Sequence, residues 1–411
     1  MRKILFAILG VLLLLIAACG QAGTPVAPEG KMEDVAPEEA APMEGDTELE
    51  EVTFGWMGAL TGNIATLGTP IKESVELAVE EVNNKQLIPG KTMKVVYEDD
   101  KCEAANGATA AQKLVSVDKV TAIIGPMCSP TMLAAAPLVE ENGVLTVSYS
   151  ATAPSIKDAG DFIFRVVPSD SGQGVLGAEL AKDTLGAEKA VVVYIQNDWG
   201  QGLHDVFTTK AKEIGLDVRV AEAYAPDETD FRTIVAKVKA AQVDVIYLAA
   251  FPADGAVLLK QLKEAGFDKT IIAADALKDD SIMSAVQGAE YNMIVTIPGV
   301  PKSQELENFA NAFQAKFNKE YTAYTPEAYD VVMILAKACA ETDCTSTAMK
   351  DFLYTMGEYV GASGTYAFDT DGEVSKPYDL FQIVDGKWSA YGSDVEEMEV
   401  SADSMTSTDA E

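Results

Sequence analysis

Residues 121–154 read TAIIGPMCSPTMLAAAPLVEENGVLTVSYSATAP. An apolar run, Ala122-Ile123-Ile124, stops at Gly125-Pro126 and gives way to Cys128-Ser129-Pro130-Thr131. An amphipathic stretch follows. A second apolar run over 144–147 then ends in Ser148-Tyr149-Ser150-Ala151-Thr152-Ala153-Pro154. The pattern is strand, hydroxyl-rich loop, helix, strand, hydroxyl-rich loop. In an open parallel sheet both loops leave from the carboxyl ends of their strands, where ligands bind. A helix starting at Pro130 turns free backbone N–H groups toward that edge and favours an anionic group there. Ser129 and Thr131 add neutral donors. The stretch indicates a small-ligand site with a place for a carboxylate. The plainer alternative is that its hydroxyls only cap a helix and close turns.

The alternation extends both ways. Upstream, VTFGWMGAL (52–60) reads as a strand, TGNIATLGT (61–69) as a loop, 70–83 as a helix with Ile71, Val75, Val79 and Val82 on one face, and MKVVYED (93–99) as a second strand. With a helix over 104–117 this is βαβα, a parallel sheet covered on both faces. FIFRVV (162–167) and the turn Pro168-Ser169-Asp170-Ser171-Gly172 follow, and there the pattern restarts. Helices over 173–185, 202–214, 230–240 and 254–265 alternate with strands AVVVYI, DVRVAEAY, VDVIYLAA and TIIAAD. MIVTIP (293–298) leads to two long helices, 304–318 and 326–339, the second with Pro326 at a natural first position. The chain ends in an antiparallel pattern, in which GTYAFDTDGEV enters a turn and YDLFQIVDGKWSAY is a hairpin bending at Asp385-Gly386. The fold class is therefore α/β, two doubly wound parallel-sheet lobes with a seam near 167–170. A ligand gripped by both lobes favours closure by hinge motion.

At the N-terminus, Arg2-Lys3 precede an apolar run over 4–18 broken only by Gly10. It is too short and wrongly flanked for a stable membrane span, and 1–18 reads as a signal peptide. Its end, Leu15-Ile16-Ala17-Ala18-Cys19-Gly20, resembles a bacterial lipobox, which implies cleavage before Cys19 and lipid on that cysteine. An ordinary secretory signal with a chance cysteine is the alternative. Residues 19–50 are rich in Pro, Ala, Gly and Glu and read as a disordered tether. About 30 such residues reach roughly 30 Å. No other stretch is apolar enough over a sufficient length to span a bilayer. The protein is thus expected on the extracytoplasmic face of a bacterial membrane, held there through a lipid anchor alone.

The net charge of −33 argues against nucleic-acid binding, which needs a basic face. Part of that charge sits in the tether and in the tail over 393–411, which reads as unstructured. About 340 residues remain, enough for two full-sized cores. Beyond Cys19 there are four cysteines. Cys102 and Cys128 each follow a strand-like run at the same sheet edge, and Cys339 and Cys344 form a CxxxxC pair at a helix end. In an oxidising compartment these read as disulfides Cys102–Cys128 and Cys339–Cys344, with free thiols or other pairings as the alternative. A single histidine and no CxxC leave no metal site to name.

Two motifs point elsewhere. Gly172-Gln173-Gly174-Val175-Leu176-Gly177 matches GxGxxG, but Pro168 to Ser171 separate it from the strand that a dinucleotide fingerprint requires. Asp170 beside it is better read as a hinge or ligand residue. His204 has no GxSxG and no evident carboxylate partner in the sequence, so it is expected to be a solvated surface residue and no triad is supported. No catalytic residue and no cofactor is indicated.

FGWMGALTG, VVYEDDKC, IIGPMCSPT, YSATAP, VVPSDSGQG, QNDWGQG and PEAYD occur in this order. Over about 52–391 the chain resembles the type 1 periplasmic binding proteins, and among them the leucine/isoleucine/valine-binding group that feeds ABC importers. The resemblance implies three hinge crossovers, placed near 168–170, 297–299 and 358–362. That gives 51–169 plus 298–358 as lobe 1 and 170–297 plus 359–392 as lobe 2. It implies Cys102–Cys128 as the first-lobe disulfide, an ABC permease as partner, and a monomer. By the same resemblance, Ser129 takes the ligand carboxylate. Ser150 lies in the Ser150-Ala151-Thr152 loop where a backbone carbonyl accepts from the ammonium, and Thr152 bridges both groups. Trp199 and Phe251 stand where the group often has tyrosine, Asp275 where it has a glutamate that pairs with the ammonium, and Leu67 where an aromatic often lies. The expected function is a receptor for an aliphatic, branched-chain-like amino acid. The alternatives are an amide, urea or aromatic-acid ligand on the same fold, or a sensory ligand-binding protein.

Overall fold

The structure, a computed structural model, describes residues 49–285 and 292–392. The expected signal peptide (1–18), lipidated Cys19, nearly all of the tether (19–50) and the tail (393–411) lie outside the described residues. The first sheet is built from β1 (Glu50–Gly58), β2 (Lys91–Asp99), β3 (Ala122–Ile124), β4 (Leu145–Ser148) and β5 (Ile163–Arg165), in the order β2-β1-β3-β4-β5, every pair parallel. Helices α1 (Ala65–Asn84), α2 (Ala104–Gln112) and α3 (Ser129–Asn142) connect them. Phe54, Trp56, Ile123, Ile124, Leu145 and Val147 are all fully buried, as expected where a sheet is covered on both faces.

The second sheet repeats this winding. After α4 (Asp170–Glu179) come β6 (Lys189–Ile195), α5 (Asp198–Glu213), β7 (Asp217–Tyr224), α6 (Arg232–Ala241), β8 (Val245–Ala249), α7 (Pro252–Glu264), β9 (Thr270–Ala273), α8 (Ser281–Ala285) and β10 (Met293–Pro298). The parallel order β7-β6-β8-β9-β10 matches that of the first sheet. The chain then returns through α9 (Gln304–Phe317), α10 (Thr325–Glu341) and α11 (Ser346–Thr355), which pack on the first lobe: α9 and α10 on α1, α10 also on β3, and α11 on β4. A small ribbon, β11 (Tyr359–Gly361) with β12 (Gly364–Tyr366), follows. Last, β13 (Tyr378–Val384) runs antiparallel to β10, and β14 (Lys387–Ala390) pairs with β13 around Asp385-Gly386, both at positive φ.

The expected lobe boundary at 358/359 moves. Asp330 of α10 is fully buried and accepts hydrogen bonds from the N–H groups of Ala362 (2.9 Å) and Ser363 (2.8 Å). Phe368 meets Phe164 of β5 edge-on at 5.2 Å, and the Arg165 N–H donates to the Gly372 carbonyl at 3.1 Å. Residues 359–373 therefore sit with the first lobe, and the third crossover lies between Glu373 and Tyr378. A buried aspartate that must be satisfied decides this, and the strand pattern around it carries no such information.

Helix starts also shift. α1 begins at Ala65, with Pro70 inside it, and the loop read over 61–69 is half helix. Gly68 allows this, because a Cβ there would lie 1.7 Å from the Ala59 carbonyl oxygen. α5 begins at Asp198, where the Asn197 side chain accepts from the Gly200 N–H (2.9 Å). α11, capped by the Thr345 side chain, has no counterpart among the helices that the sequence pattern indicates. Both disulfides form: Cys102–Cys128 (Cα–Cα 5.4 Å) joins the ends of β2 and β3, and Cys339–Cys344 (4.0 Å) closes the end of α10.

Candidate functional site

The two windings bring equivalent edges face to face. In each lobe the loops after the first and third strands of the winding leave the sheet at its switch point. A cleft of about 340 Å³, counting the part open to solvent, lies between those loops. The first lobe supplies Ile64 and Leu67 after β1, Met127 to Pro130 after β3, and Ser150 after β4. The second supplies Trp199 after β6, Phe251 after β8, and Asp275 and Ala276 after β9. Tyr324, immediately before α10, completes the wall.

Much of the hydroxyl chemistry in the first-lobe wall is spent on holding the wall together. The Ser148 hydroxyl donates to the Pro126 carbonyl (2.7 Å) and accepts from the Ala151 N–H (2.8 Å). The Ser150 hydroxyl donates to the Met127 carbonyl (2.7 Å), which leaves its own carbonyl as the group to offer. Thr131 turns inward to the Cys128 carbonyl (2.8 Å), so it closes the helix turn and is no donor to the cleft. Ser129 differs. Its hydroxyl oxygen accepts from the Ala153 N–H (3.0 Å), and its O–H remains to donate at the head of α3. Anion attraction at that helix start adds to it.

Of the residues singled out in the sequence, Leu67, Ser129, Ser150, Trp199, Phe251 and Asp275 line the cleft. Ala151, Thr152 and Asp170 are buried and are not among the lining residues. The Ala151 carbonyl accepts from the Arg165 guanidinium (3.3 Å), and the Thr152 carbonyl from the Asp170 N–H (2.8 Å). The Thr152 hydroxyl and the Asp170 carboxylate are buried side by side, short of full hydrogen-bond geometry. Burial, then the Asp275 charge, raises the Asp170 carboxyl well above its ordinary range; the Thr152 hydroxyl and the Arg165 guanidinium oppose this.

In the second-lobe wall the Trp199 and Phe251 rings stack at 5.3 Å and 15°. Trp199 sits in the first turn of α5, and Phe251 is extended by the following Pro252. Asp275 opens a short 3₁₀ turn and is 4% exposed. Its Oδ2 accepts from the Tyr324 hydroxyl, while Oδ1 is buried without a partner among the described residues. Burial pushes its carboxyl up to about 6, against the Tyr324 hydroxyl and the Gln173 side chain.

At the rim, Asn63 of the first lobe donates its side-chain amide to Asp254 (2.9 Å) and Asp227 (2.6 Å) of the second, and its carbonyl accepts from the Ala253 N–H (3.3 Å). Burial, with Asp227 and Glu228 nearby, pushes the Asp254 carboxyl up to about 7. Neither Asn63 nor Tyr324 was singled out in the sequence. The signal for Tyr324 was its place just before Thr325-Pro326, a helix start that the winding brings to the cleft. His204 lies at the surface, half-buried: it stacks on Tyr194 at 4.6 Å, and its Nδ1 is 2.8 Å from the carboxylate of the adjacent Asp205. Among the described residues no cluster of His, Cys, Asp and Glu suits a metal ion, and no helix is long and apolar enough to cross a membrane.

A family model described as periplasmic binding protein matches residues 51–387. A Leu/Ile/Val-binding protein homolog from Brucella melitensis is 27% identical over 343 residues, covering 82% of this chain and 92% of its own. The crystal structure of a leucine-binding protein from Thermotoga maritima is similar with a TM-score of 0.78 and 26% identity, over 82% of this chain and 97% of that one. A branched-chain amino acid transporter substrate-binding protein from Streptococcus pneumoniae, solved with isoleucine, has a TM-score of 0.77 and 26% identity, over 83% and 99%.

Proposed function

The chain belongs to the periplasmic binding protein family, and from that premise we propose that it is the extracytoplasmic receptor of an ABC importer for an aliphatic, branched-chain-like amino acid, gripped by lobe closure without covalent chemistry. The observation that carries this reading is the polarity of the cleft. One wall ends in the head of α3 with the Ser129 hydroxyl, suited to a carboxylate. The facing wall holds the buried Asp275, whose Oδ1 lacks a partner among the described residues. An unpaired carboxylate in such a site is costly, and an ammonium satisfies it. A carboxylate and an ammonium on one small molecule describe an α-amino acid. The Ser150 carbonyl suits the ammonium as a further acceptor. Ile64, Leu67, Met127 and the Trp199–Phe251 stack leave an apolar pocket for the side chain. On this reading Cys19 carries the lipid anchor, the partner is a permease, and the receptor works as a monomer.

Thermal unfolding of the protein against leucine, isoleucine, valine, amides, urea and aromatic acids tests the reading. A ligand at about 100 times its Kd adds roughly 2.7 kcal/mol and raises the midpoint by some degrees. The expected response is to one or more of the aliphatic amino acids. A response confined to ligands without an ammonium group would overturn the amino-acid assignment.

A further inference from the structure

We propose that Tyr324 is a positioning residue of this cleft: its hydroxyl, reaching across from the first lobe, holds one oxygen of the second lobe's Asp275 so that the other is presented to the cationic end of the ligand. The nature of the ligand rests on the function proposed above; the contact itself does not.

Three observations support the assignment. First, the contact divides the carboxylate. Tyr324 donates to Oδ2, while Oδ1 is buried without a partner among the described residues. A carboxylate held at one oxygen loses its freedom to rotate, and its remaining lone pairs keep a fixed direction. Second, Tyr324 is held in the left-handed region, φ +65° and ψ −2°. That conformation is disfavoured for a bulky side chain and persists where surrounding structure over-determines it, which happens preferentially at functional sites. Here it falls at the start of α10 and directs a ring that is 4% exposed into the cleft wall. Third, the contact crosses between lobes. Tyr324 sits just before α10 on the first lobe and Asp275 just after β9 on the second, so one hydrogen bond both bridges the lobes and orients the carboxylate.

The other groups facing Asp275 are engaged elsewhere or only help to hold its carboxyl down. Asp170, at the head of α4, has its own carboxyl raised by burial and by the Asp275 charge. The Tyr247 hydroxyl of β8 has no partner among the described residues, and the Tyr378 hydroxyl of β13 donates to the Ser169 carbonyl (2.6 Å). The Gln173 amide of α4 donates to the carbonyl and hydroxyl of Thr296 (2.9 and 2.8 Å) and, with the Asp275 and Ala276 backbone N–H groups, adds a smaller pull on the Asp275 carboxyl than Tyr324 does. Arg165 of β5 directs its guanidinium to the Ala151 and Ala153 carbonyls and to Glu373.

The test is Tyr324→Phe in the full chain, which keeps the ring and removes one oxygen. The Asp275 side-chain carboxyl is followed by carbon NMR in ligand-free protein across pH 4 to 9, its signal assigned with Asp275→Asn. Loss of the donor should move the titration upward by about one unit. Leucine affinity at pH 7 should weaken about tenfold. In the Asp275→Asn background, Tyr324→Phe should cost nothing further. An Asp275 titration identical to wild type, or an equal affinity loss in both backgrounds, would overturn the proposal. If wild-type protein binds no amino acid, the functional reading fails by itself, and the ligand-free titration still decides the role of Tyr324.

Discussion

The resemblance implies a glutamate where Asp275 stands, one methylene longer, and the surrounding side chains bear on that shortening. Tyr324 reaches toward the carboxylate from the opposite lobe, and the flat Trp199–Phe251 stack adds ring area beside it. Phe251 carries no hydroxyl, so less of the polar recognition falls to this wall than where tyrosine stands. Asp275→Asn should therefore weaken an α-amino-acid ligand on the order of 100-fold while sparing any ligand without an ammonium, as titration calorimetry would read. The pH dependence follows the same group. With its carboxyl at about 6 in the free protein and held ionised by a bound ammonium, affinity should be flat above about pH 7. Below about pH 6 it should fall by about tenfold per unit, because each binding event must first expel a proton.

Between elements, the lobes are bridged at two clasps of different character. Tyr324 acts inside the cleft; Asn63, in the loop before α1, acts at its rim on the acidic pair Asp227 and Asp254. A donor suits that place and a further carboxylate does not, because the acids already repel one another. Asn63→Asp should add a third carboxylate, open the free protein to a larger radius of gyration in solution scattering, and weaken ligand binding about tenfold, with partial recovery in high salt. Neither clasp was legible beforehand. Buried parallel strands announce themselves as apolar runs, and the loops after them inherit their place from the winding, so the Ser129 loop follows from topology, whereas Trp199, Phe251 and Asp275 are reached through the family resemblance. Asn63 and Tyr324 instead owe their roles to partners 191 and 49 residues away along the chain, and no local pattern encodes such a pairing.

Across the whole molecule, several buried acids carry raised carboxyl values: Asp100 and Asp254 to about 7, Asp275 and Asp330 to about 6, against an ordinary 3.8. Burial is the leading cause for each. Their folded values lie above their unfolded ones, so between about pH 4 and 7 the folded state binds protons that the unfolded state does not. The ligand-free protein should accordingly gain stability as pH falls from 8 toward 5, measurable as a rising unfolding midpoint. Only below about pH 4 should that gain be overtaken, as Asp99 and Asp161, whose values are lowered by hydrogen bonds and by Lys350 respectively, take up protons. The crossover that moved to between Glu373 and Tyr378 bears on how such a chain comes into being. Because 359–373 remain with the first lobe, β13 and β14 are the last described segments to be made, and β13 covers the edge of β10. Until they emerge, β10 presents an open row of backbone donors and acceptors, which invites pairing with another chain. Neither lobe is a contiguous piece of polypeptide, so a chain interrupted near residue 377 would carry a complete first lobe beside an unfinished, adhesive second one.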